Sequence, residues 1–86
     1  MALKPPSYPT AAQRGLSDLA LQSAVAAIQA GRPIEAEYLA ADVLKSNAGS
    51  VPAMRLLGTA LLMQGRGKEA ITPLERAMRR SRDAET

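Results

Sequence analysis

Cysteine and histidine are both absent from this 86-residue sequence, and so are tryptophan and phenylalanine. Without thiolates or imidazoles the chain has no disulfides, no histidine acid–base chemistry and none of the usual zinc or haem ligands. Eight acidic residues remain, and their spacing fits salt bridges on helix surfaces, such as Asp42 with Lys45 and Glu75 with Arg79. The sequence therefore predicts a protein without a catalytic site, a metal site or a cofactor.

Long apolar runs are also missing. No segment approaches the roughly 18 uninterrupted apolar residues that a membrane-spanning helix requires. The first fifteen residues contain three prolines and lack the apolar core of a signal peptide. We therefore expect a cytoplasmic protein with no membrane span and a flexible leader at residues 1–15. Thr10 and Gln13 could instead form a capping box that starts the first helix earlier.

The positive charge is small overall but clustered. The net charge is +3, and four arginines lie close together near the end of the sequence: Arg76, Arg79, Arg80 and Arg82. Cations suit the C-terminal end of a helix, where the macrodipole is negative. Nucleic-acid binding is the alternative, but no aromatic residue is interleaved with these arginines to stack on bases. Nucleic acid is therefore not expected as a partner.

What the sequence does contain is an internal repeat. When the sequence is shifted against itself by about 34 residues, two segments match their counterparts. Gly31-Arg32 aligns with Gly65-Arg66, and Glu35-Ala36 aligns with Glu69-Ala70. The same shift places Ala24 over Gly58, and small residues at these positions allow two helices to approach closely. A fixed period of this kind, about 34 residues, is typical of helical repeat architectures.

Within each unit, apolar residues recur at intervals of three and four, which predicts amphipathic helices. The predicted helices are residues 17–30, 33–46, 51–64 and 68–81. Gly31 and Gly65 end the first and third helices, and Ser17 and Ser50 are their predicted N-caps. Pro73, in the second turn of the last helix, predicts a short kink there. The expected fold is all-α, with short links that leave each pair of helices antiparallel.

The second unit resembles the tetratricopeptide repeat family. The segments similar to the family's signature positions are Leu57-Gly58, Gln64-Gly65, Glu69-Ala70-Ile71 and Ala77. The first unit has Ser23-Ala24 in place of the Leu-Gly pair. The resemblance implies a two-repeat domain at residues 16–84, with repeats at 17–50 and 51–84, in which two helix hairpins stack as a short right-handed superhelix.

The family's large aromatic residues are replaced in this sequence. Small or aliphatic residues hold those positions: Ala20, Ala27, Ala40, Met54, Leu61 and Leu74. The family's closing proline is replaced by Ala48 and Arg82. We therefore expect a smaller and less rigid core than well-filled members of the family have.

In the family, a partner usually lies in the concave groove formed by the first helix of each repeat. The resemblance assigns this groove to Leu21, Gln22, Val25, Ile28 and Gln29 of the first repeat and Arg55, Thr59, Leu62 and Met63 of the second. Arg55 is its only charged residue, so the carboxylate clamp of some family members is not expected. A mostly apolar groove suits an amphipathic helix or an extended apolar peptide. The alternative for Val25 and Ile28 is that they pack against the second helices.

The last helix carries a second apolar stripe, formed by Ile71, Leu74 and Met78. A repeat stack usually needs about three repeats for stability, and this sequence has two. One side of the stripe packs inward, and no third repeat covers the remainder. We therefore expect a two-fold symmetric homodimer, joined through the last helix or through the open groove.

Two functions of different class fit these features. The first is a non-catalytic protein–protein interaction module, or scaffold, that binds a peptide or helix of another protein in the groove. The second is suggested by the resemblance: an N-terminal repeat segment of a larger enzyme, such as a bacterial sulfotransferase-type transferase. It is supported by the position of Asp83 and Ala84, which complete the second repeat unit.

Overall fold

A computed structural model of the protein describes the backbone of residues 11–85, with the side chains of residue 15 and residues 17–83. Four helices make up this part of the chain: α1 (Ala11–Gln29), α2 (Pro33–Ser46), α3 (Val51–Met63) and α4 (Gly67–Glu85). Each helix packs against the next one in the chain, and α1 also contacts α3. The predicted all-α fold of two helix hairpins is confirmed.

The two hairpin turns have the same backbone hydrogen bonds at equivalent positions of the two repeats. At the end of α1 the amide of Gly31 donates to the carbonyl of Ile28, and that of Arg32 donates to Ala27. At the end of α3, Gly65 and Arg66 donate to Leu62 and Leu61 in the same way. Both glycines have a positive φ, 75° and 74°, which closes a helix in a Schellman motif. The predicted role of the two glycines is confirmed.

The remaining helix starts depend on local side chains. Ser50 is the N-cap of α3, where its hydroxyl accepts a hydrogen bond from the amide of Ala53 at 3.3 Å, as the sequence predicts. Proline occupies the first turn of both α2 and α3, where the missing amide proton costs little. In both repeats the arginine after the glycine turn pairs with a glutamate three residues on, Arg32 with Glu35 and Arg66 with Glu69.

Two helices extend further than the sequence predicts. The predicted N-cap Ser17 lies inside α1, because the helix already begins at Ala11; the alanine, glutamine and arginine residues before Ser17 are better helix formers than serine. The leader predicted for residues 1–15 is therefore helical from residue 11, and the rest of it, including Thr10, lies outside the described residues. At the other end, α4 runs past Pro73 to Glu85. The kink predicted at Pro73 stays a prediction.

The core is built mainly from alanine. Eight alanines are buried, together with Val43, Met54 and Leu61, and Ala27, Ala36 and Ala60 bring α1, α2 and α3 together in one cluster. Gly58 is buried on α3 and lies directly against the side chain of Leu74 on α4. Helices that meet through alanine and glycine pack closely but bury little apolar area per residue. That the core is smaller and less rigid than in well-filled members of the family stays a prediction.

The two salt bridges predicted on helix surfaces have different outcomes. Asp42 and Lys45 form an ion pair on α2, with 3.7 Å between Nζ and the carboxylate. Glu75 and Arg79 do not form an ion pair within the part of the chain that the structure describes, so that prediction is wrong. Both side chains are exposed, and a solvated pair one turn apart gains only about 0.3–0.5 kcal/mol from contact.

Candidate functional site

The predicted groove residues come from equivalent positions of the two repeats. The repeat period relates Val25 to Thr59, Ile28 to Leu62 and Gln29 to Met63. The helices α1 and α3 are the first helices of their hairpins and are in contact. We refer to the residues predicted for a partner on these two helices as the groove.

Three large apolar side chains of the groove are open to solvent. Val25 is 41% exposed, Leu62 is 53% exposed, and Met63 is also exposed. Val25 is therefore a surface residue, which disfavours the core packing considered from the sequence. Exposed apolar side chains that occur singly need no explanation, but a contiguous set on one face is typical of an interaction site.

Ile28 and Leu21 are half-buried instead. Ile28 packs on the cluster of Ala27, Ala36 and Ala60, so the alternative of core packing holds for this residue. Leu21 lines a cleft of about 440 Å³ between α1 and the first turn of α3, with Val51 and Pro52 on the opposite wall. The groove thus ends in a partly apolar recess near the turn between the two repeats.

Two polar side chains of the groove, those of Thr59 and Arg55, form hydrogen bonds within the domain. Thr59 donates its hydroxyl proton to the carbonyl of Arg55 within α3 at 2.9 Å, so the hydroxyl retains only acceptor capacity. One Nη of Arg55 donates to the hydroxyl of Ser81 on α4 at 3.2 Å. A guanidinium has five donors, and Arg55 is exposed, so it still offers positive charge at the edge of the groove. Gln22 and Gln29 are exposed as well.

The three side chains of the predicted self-association stripe do not share one environment. Ile71 and Met78 are exposed on α4. Leu74 is half-buried, and its side chain fills the space beside Gly58 on α3. Leu74 is therefore the inward side of the stripe, and Ile71 and Met78 are the part that remains open.

A second surface, on the outside of α2, was not anticipated from the sequence. Ile34 and Tyr38 lie one turn apart on α2 and are both highly exposed, and they line a cavity of about 430 Å³ with Gln64 and Arg66. An isolated tyrosine among alanines in the first repeat was the available signal. We call this the α2 outer surface.

Polar contacts join α2 to the turn between α3 and α4 beside this surface. The carboxylate of Glu37 accepts hydrogen bonds from Gln64 at 2.8 Å and from Arg66 at 2.9 Å. Arg66 also donates to Glu69, and the hydrogen bond to Glu69, with the charge of Glu37, raises the pKa of Arg66. The charges of this network largely satisfy one another, which indicates a structural clamp between the repeats.

The described residues hold no group of three histidine, cysteine, aspartate or glutamate side chains able to bind a metal ion. None of the four helices combines the length and apolarity needed to cross a membrane. In the described residues, then, the surfaces that stand out are the groove, the exposed part of α4 and the α2 outer surface.

Comparison with known proteins agrees with the geometry of the hairpins. The family model for the tetratricopeptide repeat matches residues 27–85, which includes α2, α3, α4 and the last residues of α1. No curated protein and no solved structure gives a significant match. Repeats of this family generally mediate protein–protein interaction and are not catalytic. On the matched residues and the paired helices, the chain belongs to the tetratricopeptide repeat family.

Proposed function

We propose that this protein is a non-catalytic adaptor that binds an amphipathic helix or an extended apolar segment of another polypeptide along the groove. The observation that carries the proposal is the exposure of Val25, Leu62 and Met63 on α1 and α3, two helices that are in contact. Burying such side chains under a partner would contribute about 25 cal/mol for each Å² of apolar surface removed from water. The groove lacks the cation cluster needed to hold a carboxylate, so apolar contact is the main source of affinity.

Arg55 makes one edge of the proposed groove positively charged. Its guanidinium lies at the α4 side of the groove and keeps donors beyond the one used by Ser81. A partner with apolar side chains on one face and an acidic residue at the edge of that face fits both features. The same groove serves whether the repeats act alone in the cytoplasm or as the N-terminal segment of a larger transferase, because all of its residues lie within the repeats.

The test of the groove compares two doubly substituted chains. The wild-type protein selects ligands from a displayed library of amphipathic helical and extended apolar peptides, and fluorescence anisotropy gives the Kd of the selected peptide. Val25→Glu with Leu62→Glu places charges in the groove and is expected to weaken binding at least tenfold, or about 1.4 kcal/mol. Circular dichroism of each variant verifies that helicity is retained.

The matched control is Ile34→Glu with Tyr38→Glu on the α2 outer surface. These side chains are more exposed than those of the groove pair, so the control introduces the same charge without touching the groove. Its Kd for the selected peptide is expected to remain within about twofold of the wild-type Kd. The groove variant is expected to weaken binding at least tenfold, or about 1.4 kcal/mol. A control that loses binding while the groove variant retains it would place the site on α2 and reject the proposal.

We propose in addition that the protein self-associates through the exposed part of α4. Ile71 and Met78 are large apolar side chains about two turns apart on this helix. Exposed apolar surface of this kind is commonly covered by a second protein chain. A homodimer is the smallest assembly that would cover it.

A further inference from the structure

The contact between α2 and α3 within the chain shows how a second helix of one repeat packs on the first helix of the next. We use it as a template for a helix that packs on α4. Ala60 of α3 meets Ala36 of α2 in the buried alanine cluster. At one end of this contact the side-chain amide of Gln64 donates to Glu37, and at the other end Leu44 borders the same cavity as Met54 and Leu57. The contact thus has an alanine centre, a polar end and an apolar end.

On α4 the equivalent face is uncovered. Ile71 occupies the position of Glu37, one repeat further on, and Met78 occupies the position of Leu44. Leu44 is half-buried, whereas Ile71 and Met78 are 53% and 57% exposed. The difference in burial follows from the α3 helix that covers α2 and has no counterpart on α4 among the described residues.

The other half of the same contact is uncovered on α1. Ala26 is the equivalent of Ala60, and Leu19 is the equivalent of Ala53. Ala60 and Ala53 are fully buried, but Ala26 is exposed and Leu19 is 62% exposed. The domain therefore carries both halves of one helix contact, one at each end of the stack.

The two uncovered halves match at the polar end of the template, whereas at its apolar end α1 has Ala20 and Ser23 in place of Met54 and Leu57. Within the chain, Glu37 faces the side-chain amide of Gln64. At the equivalent positions α4 has Ile71 and α1 has Ala30, so both members of the polar pair are apolar at the ends of the stack. Burying one member of a polar pair without its partner would be unfavourable. Packing an isoleucine against an alanine is favourable, because it removes apolar surface from water.

We propose that α4 of one copy of the chain binds α1 of a second copy in the arrangement that α2 and α3 adopt within one chain. This inference rests on the proposed self-association and names the surface that covers Ile71 and Met78. It replaces the two-fold symmetric homodimer expected from the sequence with a contact between α4 and α1. The contact joins two different surfaces, so it can repeat head to tail rather than close as a symmetric pair. The groove, formed by the other faces of α1 and α3, would continue from copy to copy.

The test uses two variants that each disable one half of the contact. The first carries Leu19→Glu and Ala26→Glu on α1, and the second carries Ile71→Glu and Met78→Glu on α4; all four side chains are exposed. In analytical ultracentrifugation, the wild type is expected to form species larger than a dimer as its concentration rises. Each variant alone should sediment as a 9.1 kDa monomer, and their equimolar mixture should form a species of twice that mass.

Two outcomes would overturn the proposal. If the α1 variant dimerises by itself, α4 pairs with α4 in a symmetric contact. If the wild type stays monomeric at millimolar concentration, no copy of the chain covers the surface. Should a double variant lose helicity, the single changes Leu19→Arg and Met78→Arg repeat the mixing experiment. The Kd of the selected peptide, measured on monomeric variants, separates a failure of assembly from a failure of the groove.

Discussion

Replacing Gly58 with leucine is expected to destabilise the fold by about 3 kcal/mol, because the side chain would enter space that is already occupied. A Cβ atom at this position would come within 2.5 Å of both Cγ and Cδ2 of Leu74. Leu74 is a half-buried residue of α4, and its side chain packs directly against this position of α3. A loss of this size is a large fraction of the roughly 5–15 kcal/mol that stabilises a typical domain. Urea unfolding monitored by circular dichroism measures it.

The control for Gly58 is Gly15, which also lies in the interior of a helix. Among the described residues, no atom beyond its own helix turn lies within 4 Å of a Cβ placed at Gly15, so Gly15→Ala should stabilise α1 by up to about 1 kcal/mol through helix propensity. Combining Gly58→Leu with Leu74→Ala should recover part of the loss, because the second change vacates the contested space. An unchanged urea midpoint for Gly58→Leu would mean that α3 and α4 are not in close contact.

Replacing Met54 with alanine is expected to destabilise the fold by about 3 kcal/mol through the cavity it leaves. Met54 is the largest fully buried side chain among the described residues. Most of the core is alanine, whose side chain cannot reorient into the vacated volume. Met54 also borders the space shared by Leu44, Leu57 and Pro73, so its loss weakens packing between the two repeats. A domain of this size should lose roughly 4–8 °C in Tm for each kcal/mol.

Met63 is a control for Met54 on the same helix. It is exposed, so Met63→Ala removes the same atoms without leaving a cavity and should change stability by no more than about 0.5 kcal/mol. Both variants must be compared at one protein concentration, because self-association adds to the apparent stability. Equal losses for the two substitutions would contradict the assignment of Met54 to the core.

The alanine core connects these predictions to function. Ala27, Ala36 and Ala60 bring α1, α2 and α3 together, and Gly58 lets α4 pack closely on α3, so these small residues set the positions of the helices that carry the proposed groove. The same residues bury little apolar surface, so the fold relies on few large side chains. Contact with a partner or with a second copy would therefore add a substantial share of the total stability.

The sequence by itself determined the number of helices in the described residues and their pairing into two hairpins. Gly31 and Gly65 close helices, and Ser50 caps one, through hydrogen bonds that span a few residues, so their effect is visible without a structure. The repeat period assigns residues such as Ile28 and Leu62 to equivalent positions, because similar local structure repeats with the sequence. Family membership follows from the same local features.

Only the tertiary structure decided how far the helices extend and which apolar side chains are covered. Ser17 and Ser50 are both predicted N-caps, yet only Ser50 follows a turn and caps a helix. Leu74 belongs to the same stripe as Ile71 but fills the space beside Gly58, a residue of the neighbouring helix. The hydrogen bonds of Glu37 to Gln64 and Arg66 likewise join residues that are distant in the chain. Such contacts depend on how helices pack in space. A local pattern can mark a close approach, as Gly58 does, but it does not identify the residue on the other helix.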